Sequence, residues 1–336
     1  MSEQGPGRVR EAVTLAHVAE RAGVGESTVS RVLRGEGAVS EKTRARVRAA
    51  VRELGYVPNR IAGTLASAGS KLVGIVVPSL ANVVFADLLR GASGALEEEG
   101  FQPVIAVSEY DADREAAHVA GMLAWRPAAL MLAGLEHADE TRVLLAGGSA
   151  RVVEVLDTDG EGMDIVVGFS NAAAGHASAR HLLARGYRRF GYVGHDLVRD
   201  TRAAKRLKGF EAALAEAGVA PPEREVFSAP SSVELGRDGL ERLLARARGL
   251  EAVYFSNDDM ALGAYFLCLS RGVAVPERLA LFGYNGLDVA RLTPQPLATL
   301  RTPRVAVGAI AARLIGAGAP AQKVDVGFEL VPGATA

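Results

Sequence analysis

The sequence has one cysteine, Cys268, and six histidines among its 336 residues. A single cysteine forms no internal disulfide and supplies too few thiolates for a cysteine-based zinc site. Cys268 stands in the apolar run ALGAYFLCLS, which favours burial in a core over reactivity. The histidines complete no Ser/His/Asp set and no metal-ligand spacing. The sequence therefore predicts a protein that is not an enzyme and that uses no metal and no cofactor.

Long apolar runs are missing as well. No stretch approaches the ~20 apolar residues that a transmembrane helix needs, and the polar start of the chain lacks the apolar core of a signal peptide. We therefore expect a cytoplasmic protein without a membrane partner. The motif GxGxxG is also missing from the start of the strand–helix units described below, which argues against a dinucleotide site.

Positive charge is concentrated at one end of the chain. Residues 1–60 contain eleven Arg or Lys against seven Glu, a net charge of +4, whereas the whole chain carries −1. The remainder is therefore mildly acidic, with a net charge of −5. A basic segment joined to an acidic body indicates that nucleic acid contacts the N-terminal part alone.

The basic segment has the pattern of a helix-turn-helix followed by a third helix. Ala19 is small enough for two helices to cross closely, and Gly23 can adopt the left-handed backbone of the turn between them. The second helix, about Glu26 to Arg34, would enter a DNA major groove. The third begins after Ser40 as its N-cap and has apolar residues at helical spacing. A three-helix bundle with solvated charged faces is the alternative.

From Lys71 onward, apolar strand-like runs alternate with amphipathic helices in two successive series. Such alternation predicts an α/β fold with two doubly wound parallel sheets, and a ligand cleft where the carboxyl ends of their strands face each other. The predicted strands are 72–77, 104–107, 129–133 and 152–156 in the first series, and 190–193, 252–256 and 279–283 in the second.

The stretches VSRVL, AVSEKTRARV and ELGYVPNRIAGTLAS resemble the DNA-binding head and hinge of the LacI/GalR family of bacterial transcription regulators. The body resembles the family's periplasmic-binding-protein-like effector domain. PSLANVVFADLLRG, MLAWRP, VVEVLDTDGEGMDIVVGFSN, FSNDDMALGAYF and VDVGFELVPG are closest to the gluconate-utilisation repressor branch. The resemblance implies a head over 1–57, a hinge helix and linker over 58–70, and an effector-binding and dimerisation domain over 71–336. Lobe one would comprise 71–170 and 301–324, and lobe two 171–300 and 325–336.

Several head residues are candidates for DNA contact. Arg31 could pair with a guanine edge and Glu26 could accept from cytosine N4, while the resemblance places Glu26 and Ser27 at the positions that select the operator. Thr14 and Ser40 are candidate phosphate contacts, with helix capping alone as the alternative. In the hinge, the resemblance implies that Leu65 wedges into the minor groove; a contact with the effector domain is the alternative. The full set is Thr14, Glu26, Ser27, Ser30, Arg31, Arg34, Ser40, Asn59, Arg60 and Leu65.

The effector site is expected in the cleft. Arg206 matches the family arginine that binds the effector, and Arg202 lies one helical turn earlier, although both could be surface charges. An arginine fork suits a carboxylate. Asn285 stands where many relatives have an aspartate, and the loss of that negative charge favours an acid over a neutral sugar. The resemblance implies the full set Phe85, Asp157, Arg202, Arg206, Asn257 and Asn285.

Together these features predict a homodimeric repressor that binds double-stranded operator DNA and is released by a small sugar acid such as gluconate. The alternatives are a response to a neutral sugar, a corepressor mode, and a sugar-binding protein that does not regulate transcription. A tetramer is disfavoured because no heptad segment follows the last predicted strand.

Overall fold

The structure is a computed structural model that describes residues 13–57 and 70–336. The chain divides into two compact units, Met1–Gly69 and Ser70–Ala336, which we call the head and the body. In the described parts of both units, no helix is long and apolar enough to cross a membrane.

The head contains the three helices that its sequence predicts: α1 Leu15–Ala22, α2 Glu26–Arg34 and α3 Glu41–Leu54. Gly23 ends α1 at φ 61°, so the chain turns sharply into α2 at a left-handed position that glycine adopts without strain. Val18, Val29 and Val47, one from each helix, are fully buried and form the centre of the core. The predicted bounds of α2 are those observed.

The first lobe of the body is built on a six-stranded parallel sheet. Its strand order, β11-β5-β4-β3-β1-β2, places the late strand β11 at one edge, beside β5. The strands are β1 Leu72–Val77, β2 Gln102–Val107, β3 Ala129–Ala133, β4 Arg151–Val155, β5 Ile165–Gly168 and β11 Gln322–Asp325. The helices of this lobe are α4 Val83–Glu98, α5 Ala112–Leu123, α6 Asp139–Gly147 and α11 Arg304–Gly316.

The second lobe is built on a four-stranded parallel sheet with strand order β7-β6-β8-β9. Its strands are β6 Phe190–Gly194, β7 Glu223–Val226, β8 Ala252–Phe255 and β9 Ala280–Phe282. Its helices are α7 Asn171–Ala184, α8 Thr201–Glu216, α9 Val233–Arg246 and α10 Asp258–Arg271, and a 3-10 turn follows at Asp288–Arg291. Near the chain's passages between the lobes, β10 Thr299–Arg301 pairs antiparallel with β12 Glu329–Val331.

The predicted strands are all present, and the predicted fold class is confirmed. The sequence analysis missed the helices α6 and α11 and the strands β5, β7, β10, β11 and β12. The reasons differ, as β7 and α6 show. β7 is the edge strand EREV, whose mostly exposed, charged residues lack the apolar run of a buried strand. α6 is short and has little apolar surface to bury, since only Thr141 and Leu145 among its residues are buried.

A buried histidine links three elements of the first lobe. His137 Nδ1 lies 2.8 Å from Glu115 Oε1 of α5, and His137 Nε2 lies 3.6 Å from Glu154 Oε1 of β4. Arg142 of α6 donates to the His137 carbonyl. Burial alone would lower the pKa of His137, but the hydrogen bond to Glu115 and the charge of Glu154 outweigh it and raise the pKa to about 9. The imidazole is therefore a cation between two carboxylates.

This cluster predicts a loss of stability at alkaline pH. Because the folded pKa of His137 exceeds the unfolded value, its stabilisation is complete below about pH 6.5 and is lost as the pH rises through about 9. The free energy of unfolding of the body should fall by about 2–3 kcal/mol across that window. Urea denaturation at pH 6.5 and pH 9 measures this difference. His137→Gln should lower stability at pH 6.5 and flatten the profile; an unchanged slope would show that other groups cause it.

Candidate DNA-binding surface and effector cavity

The candidate reading surface is the outer face of α2. Glu26, Ser27, Arg31 and Arg34 are exposed and Ser30 is half-buried, while Val29 and Val32 turn into the head core. Arg34 also lies 3.4 Å from Glu36, so part of its charge is engaged within the head. One helix face thus presents a carboxylate, two hydroxyls and two guanidiniums, which are groups that recognise base edges and phosphates.

Thr14 and Ser40 both act as N-caps. The Thr14 hydroxyl accepts from the His17 amide at 3.4 Å, and the Ser40 hydroxyl accepts from the Thr43 amide at 3.3 Å. Both residues are exposed. Capping explains their presence without DNA, and their role as phosphate contacts stays a prediction. The hinge candidates Asn59, Arg60 and Leu65 lie outside the described residues.

The body contains a cavity between its two lobes, at the carboxyl ends of the parallel strands. Three of its lining residues, Tyr110, Leu156 and Asn285, have left-handed backbones with φ of 57°, 70° and 111°. Each of the three residues follows a strand. A positive φ is unfavourable for residues other than glycine, so the surrounding packing must hold these backbones in place. Strained positions of this kind cluster at ligand sites, because they aim a side chain where regular structure cannot.

Arg206 is buried in the cavity wall with its guanidinium already oriented. It donates to Asn171 Oδ1 at 3.0 Å and to the Ser256 carbonyl at 3.2 Å. Its Cζ lies 4.1 Å from the centre of the Tyr284 ring. The buried Nε has no hydrogen-bond partner among the described residues. A charged donor held in place and still unpaired is suited to bind an anion.

Arg202, one turn earlier on α8, is also buried and lines the same cavity. Its Cζ lies 5.6 Å from the centre of the Phe85 ring in the first lobe, and its Nη2 lies 3.6 Å from Asp200 Oδ1. The alternative of two surface arginines is therefore wrong. Helical spacing places both guanidiniums on one face of α8.

Asp200 and His195 are cavity residues that the sequence analysis missed. Asp200 caps α8 through the Ala203 amide, and its other oxygen lies 3.2 Å from His195 Nε2. Burial alone would raise the pKa of Asp200, but the charge of Arg202 and the hydrogen bond with His195 outweigh it and hold the pKa well below the ordinary value. Both residues belong to the polar stretch HDLVRD directly after β6, a position that could have indicated a site at the sheet edge.

The two predicted asparagines also line the cavity. Asn257 is buried with an Oδ1 that has no hydrogen-bond partner in the described parts of the chain. Asn285 is held by its backbone, with its amide donating to the Leu300 carbonyl at 2.8 Å. Phe85 contributes an apolar wall. The structure thus brings together five of the six predicted effector residues: Phe85, Arg202, Arg206, Asn257 and Asn285.

Asp157, the sixth, does not line the cavity. Its carboxylate is fully buried and lies 2.6 Å from Lys205 Nζ of α8. In the structure Asp157 forms a contact between the lobes, and its role as an effector contact stays a prediction. The preceding residue, Leu156, does line the cavity. Neighbouring residues thus differ in role, because Leu156 lines the cavity and Asp157 contacts the other lobe.

The fixed charges of the cavity favour an anion. Among the described residues that line the cavity, two have buried guanidiniums, Arg202 and Arg206, and one has a buried carboxylate, Asp200. Because burial leaves such charges little water, an excess positive charge attracts a negative ligand more strongly here than at the surface. The polar groups beside the arginines can bond hydroxyls, and the Phe85 and Tyr284 rings can pack against carbon.

A helix-turn-helix head joined to a two-lobed ligand-binding body defines a class of ligand-responsive DNA-binding proteins. Comparison with known proteins agrees. The profile described as bacterial regulatory proteins, lacI family, matches residues 14–59, and that of the periplasmic binding protein-like domain matches residues 179–336.

Relatives match along almost the whole chain. The transcriptional regulator GntR of Pseudomonas aeruginosa is 41% identical over 325 residues, covering 95% of this chain and 94% of the relative. GntR of Escherichia coli K12 is 35% identical and covers 95% of this chain and 97% of its own.

Two solved structures are similar throughout. A LacI-family regulator from Silicibacter pomeroyi superposes with a TM-score of 0.92 at 39% identity, covering 96% of this chain and 99% of the other. The Lac repressor dimer bound to operator and an anti-inducer gives a TM-score of 0.83 at 25% identity, covering 97% and 99%. The protein belongs to the LacI family. Like these relatives, it is a DNA-binding transcriptional regulator and not an enzyme.

Proposed function

We propose that the protein represses transcription as a homodimer and leaves its operator when a small sugar acid, such as gluconate, binds between the lobes. The observation that carries the proposal is the excess of buried positive charge among the described residues that line the cavity. The buried Nε of Arg206 also has no hydrogen-bond partner in that part of the chain. The similarity to two relatives named GntR supports the same ligand class.

In this proposal different residues bind the carboxylate and the hydroxyl groups of the acid. Arg206 and Arg202 bond the carboxylate, because a fixed guanidinium matches it with paired donors. Asp200, Asn257 and Asn285 bond hydroxyl groups, and Phe85 packs against the carbon chain. A neutral sugar would leave the second guanidinium without a negative partner in a buried site, which is unfavourable.

On DNA, the proposal assigns base reading to Glu26, Ser27, Ser30, Arg31 and Arg34, and phosphate contacts to Thr14 and Ser40. Asn59 and Arg60 contact the backbone in the hinge over 58–70, and Leu65 wedges into the minor groove, where an apolar insertion bends the duplex. Two heads in a dimer read two half-sites. Since bacterial DNA lies in the cytoplasm, the protein acts there.

The test compares gluconate with sorbitol, which has the same carbon chain and a CH₂OH in place of the carboxylate. Gluconate should weaken operator binding by about 5–150-fold, the usual range of allosteric coupling, and sorbitol should leave it within twofold. Fluorescence anisotropy with operator DNA measures both. Gluconate should also raise the Tm of the body by mass action.

The other outcomes are equally informative. Tighter operator binding with gluconate would show a corepressor. An equal response to sorbitol would replace the acid with a neutral polyol. Failure to bind any DNA from the protein's own promoter region would contradict the proposal as a whole.

A further inference from the structure

A lysine of the second lobe is held by two carboxylates of the first. Lys205 Nζ of α8 lies 2.6 Å from Asp157 Oδ2 and 2.6 Å from Glu136 Oε1. It also donates to the Asp159 carbonyl at 3.2 Å. Thr201, one turn earlier on α8, donates its hydroxyl to Glu136 Oε2 at 2.9 Å. We call this set the Lys205 clamp.

The clamp joins the two lobes, and its ion pairs form only while the lobes are close together. Glu136 follows β3, and Asp157 follows β4, at the carboxyl edge of the first sheet. Asp157 is fully buried, and Lys205 has a side chain that is 18% exposed. Burial alone would lower the pKa of Lys205, but Asp157 and Glu136 outweigh it and raise the pKa. The ammonium is therefore charged while the lobes are together.

The clamp and the two cavity arginines share one helix. Lys205 directly precedes Arg206 and comes three residues after Arg202. Both guanidiniums therefore stand at fixed positions relative to the clamp, because α8 is continuous from Thr201 to Glu216. Arg202 reaches Phe85 of the first lobe only while α8 stays against that lobe. The clamp therefore acts on the same helix that carries the anion-binding groups.

We infer that Lys205 is a positioning residue for the effector response: its contacts with Asp157 and Glu136 favour the closed body in which Arg202 and Arg206 face the first lobe. The inference rests on the proposed function for the ligand, not for the clamp itself. An effector that binds the closed body gains from every interaction that favours closure, since only the closed fraction is competent to bind. Lys205 therefore contributes to affinity without touching the effector.

The first experiment measures gluconate binding to the full chain by calorimetry. Lys205→Met should raise the Kd about tenfold or more, Lys205→Arg should restore most of the affinity, and Lys208→Met, at an exposed lysine of the same helix, should leave the Kd within twofold. Asp157→Asn should also raise the Kd. The double variant Lys205→Met/Asp157→Asn has a neutral amide in place of the buried carboxylate, so no charge is left without its partner. Its increase in Kd should therefore be well below the product of the increases in the two single variants.

Multiplying effects in the double variant, or a Kd for Lys205→Met equal to that of Lys208→Met, would overturn the inference. The double variant also covers the possibility that Lys205→Met fails to fold, since it leaves no unpaired buried carboxylate.

A second experiment needs no ligand and so separates this inference from the proposed function. Spin labels on Val143→Cys of α6 and Glu234→Cys of α9 report the distance between the lobes, and Cys268 is buried and inaccessible to the label. The chain with Lys205 should give one short, narrow distance distribution, and Lys205→Met a longer or broader one. Identical distributions would overturn the clamp. If gluconate fails to bind while the distributions differ, the proposed effector is wrong and the clamp stands.

Discussion

Replacing Arg206 with methionine should abolish the response to the effector and leave the regulator on its operator. Arg206 is buried and is oriented by Asn171 and the Ser256 carbonyl, and its buried Nε has no partner among the described residues. Methionine fills similar space without donors. Two hydrogen bonds to a charged group contribute about 1.5–3 kcal/mol each, so the Kd for gluconate should rise by at least about 100-fold. Calorimetry measures the Kd, and anisotropy measures release from the operator.

Two further variants make this result specific. Arg206→Lys keeps the positive charge but loses the paired donors, so its Kd should lie between those of the unaltered protein and Arg206→Met. Arg180→Met removes an exposed arginine from the neighbouring helix α7 and should leave the Kd within twofold. Operator binding without effector checks that each variant is folded. Gluconate release of Arg206→Met at ordinary concentrations would exclude Arg206 from the site.

Replacing Gly209 with alanine should destabilise the body strongly. Helices α7 and α8 cross so closely that a Cβ on Gly209 would lie 1.9 Å from the Ala172 carbonyl oxygen. On the facing side, a Cβ on Gly175 would lie 1.8 Å from the Arg206 carbonyl oxygen. Backbone atoms cannot rotate away as a side chain does, so the helices must separate. We expect a loss of about 3 kcal/mol in the free energy of unfolding, which corresponds to a Tm lower by about 6–12 °C.

The matched control is Gly121→Ala in α5. A Cβ there meets no atom within 4 Å, and alanine favours a helix by about 0.5–1 kcal/mol relative to glycine. Gly121→Ala should therefore keep or slightly raise the Tm in calorimetry. Because α8 carries both cavity arginines, Gly209→Ala should also weaken gluconate binding, whereas Gly121→Ala should not. A Tm for Gly209→Ala equal to that of the control would mean that the crossing relaxes without loss.

The sequence pattern was most informative where structure depends on neighbouring residues. The ends of α2 follow from Gly25 directly before it and the left-handed Gly35 directly after it. Both glycines are next to the helix in the sequence, so its ends depend on local residues alone. Seven strands of the two sheets were predicted because parallel strands covered on two faces consist of nearly continuous apolar residues. The four-residue strand β5 is also buried and apolar, but it was not predicted. The edge strand β7 has no such pattern, and its position depends on pairing with β6.

The candidate site divides in the same way. Arg202 and Arg206 were identifiable because they stand one turn apart beside a recognisable family motif. His195 and Asp200 were missed because no motif marks them. The orientation of His195 depends on a contact with Ser256 about sixty residues later in the chain, and Asp200 in turn contacts His195. Asp157 shows the limit most clearly. Its motif indicated an effector contact, but its partner, Lys205, comes from the other lobe.

The sequence alone therefore determined most of the helices and strands, the class of fold, the family and the residues that carry charge. Those properties follow from local propensity, apolar periodicity and short motifs. The tertiary structure alone decided which charges meet in the cavity, which meet in the clamp, and which backbones are held in left-handed conformations. Such pairings join residues far apart in the chain. The packing of the lobes gives Lys205 two carboxylate partners and leaves the Arg206 Nε without a partner among the described residues.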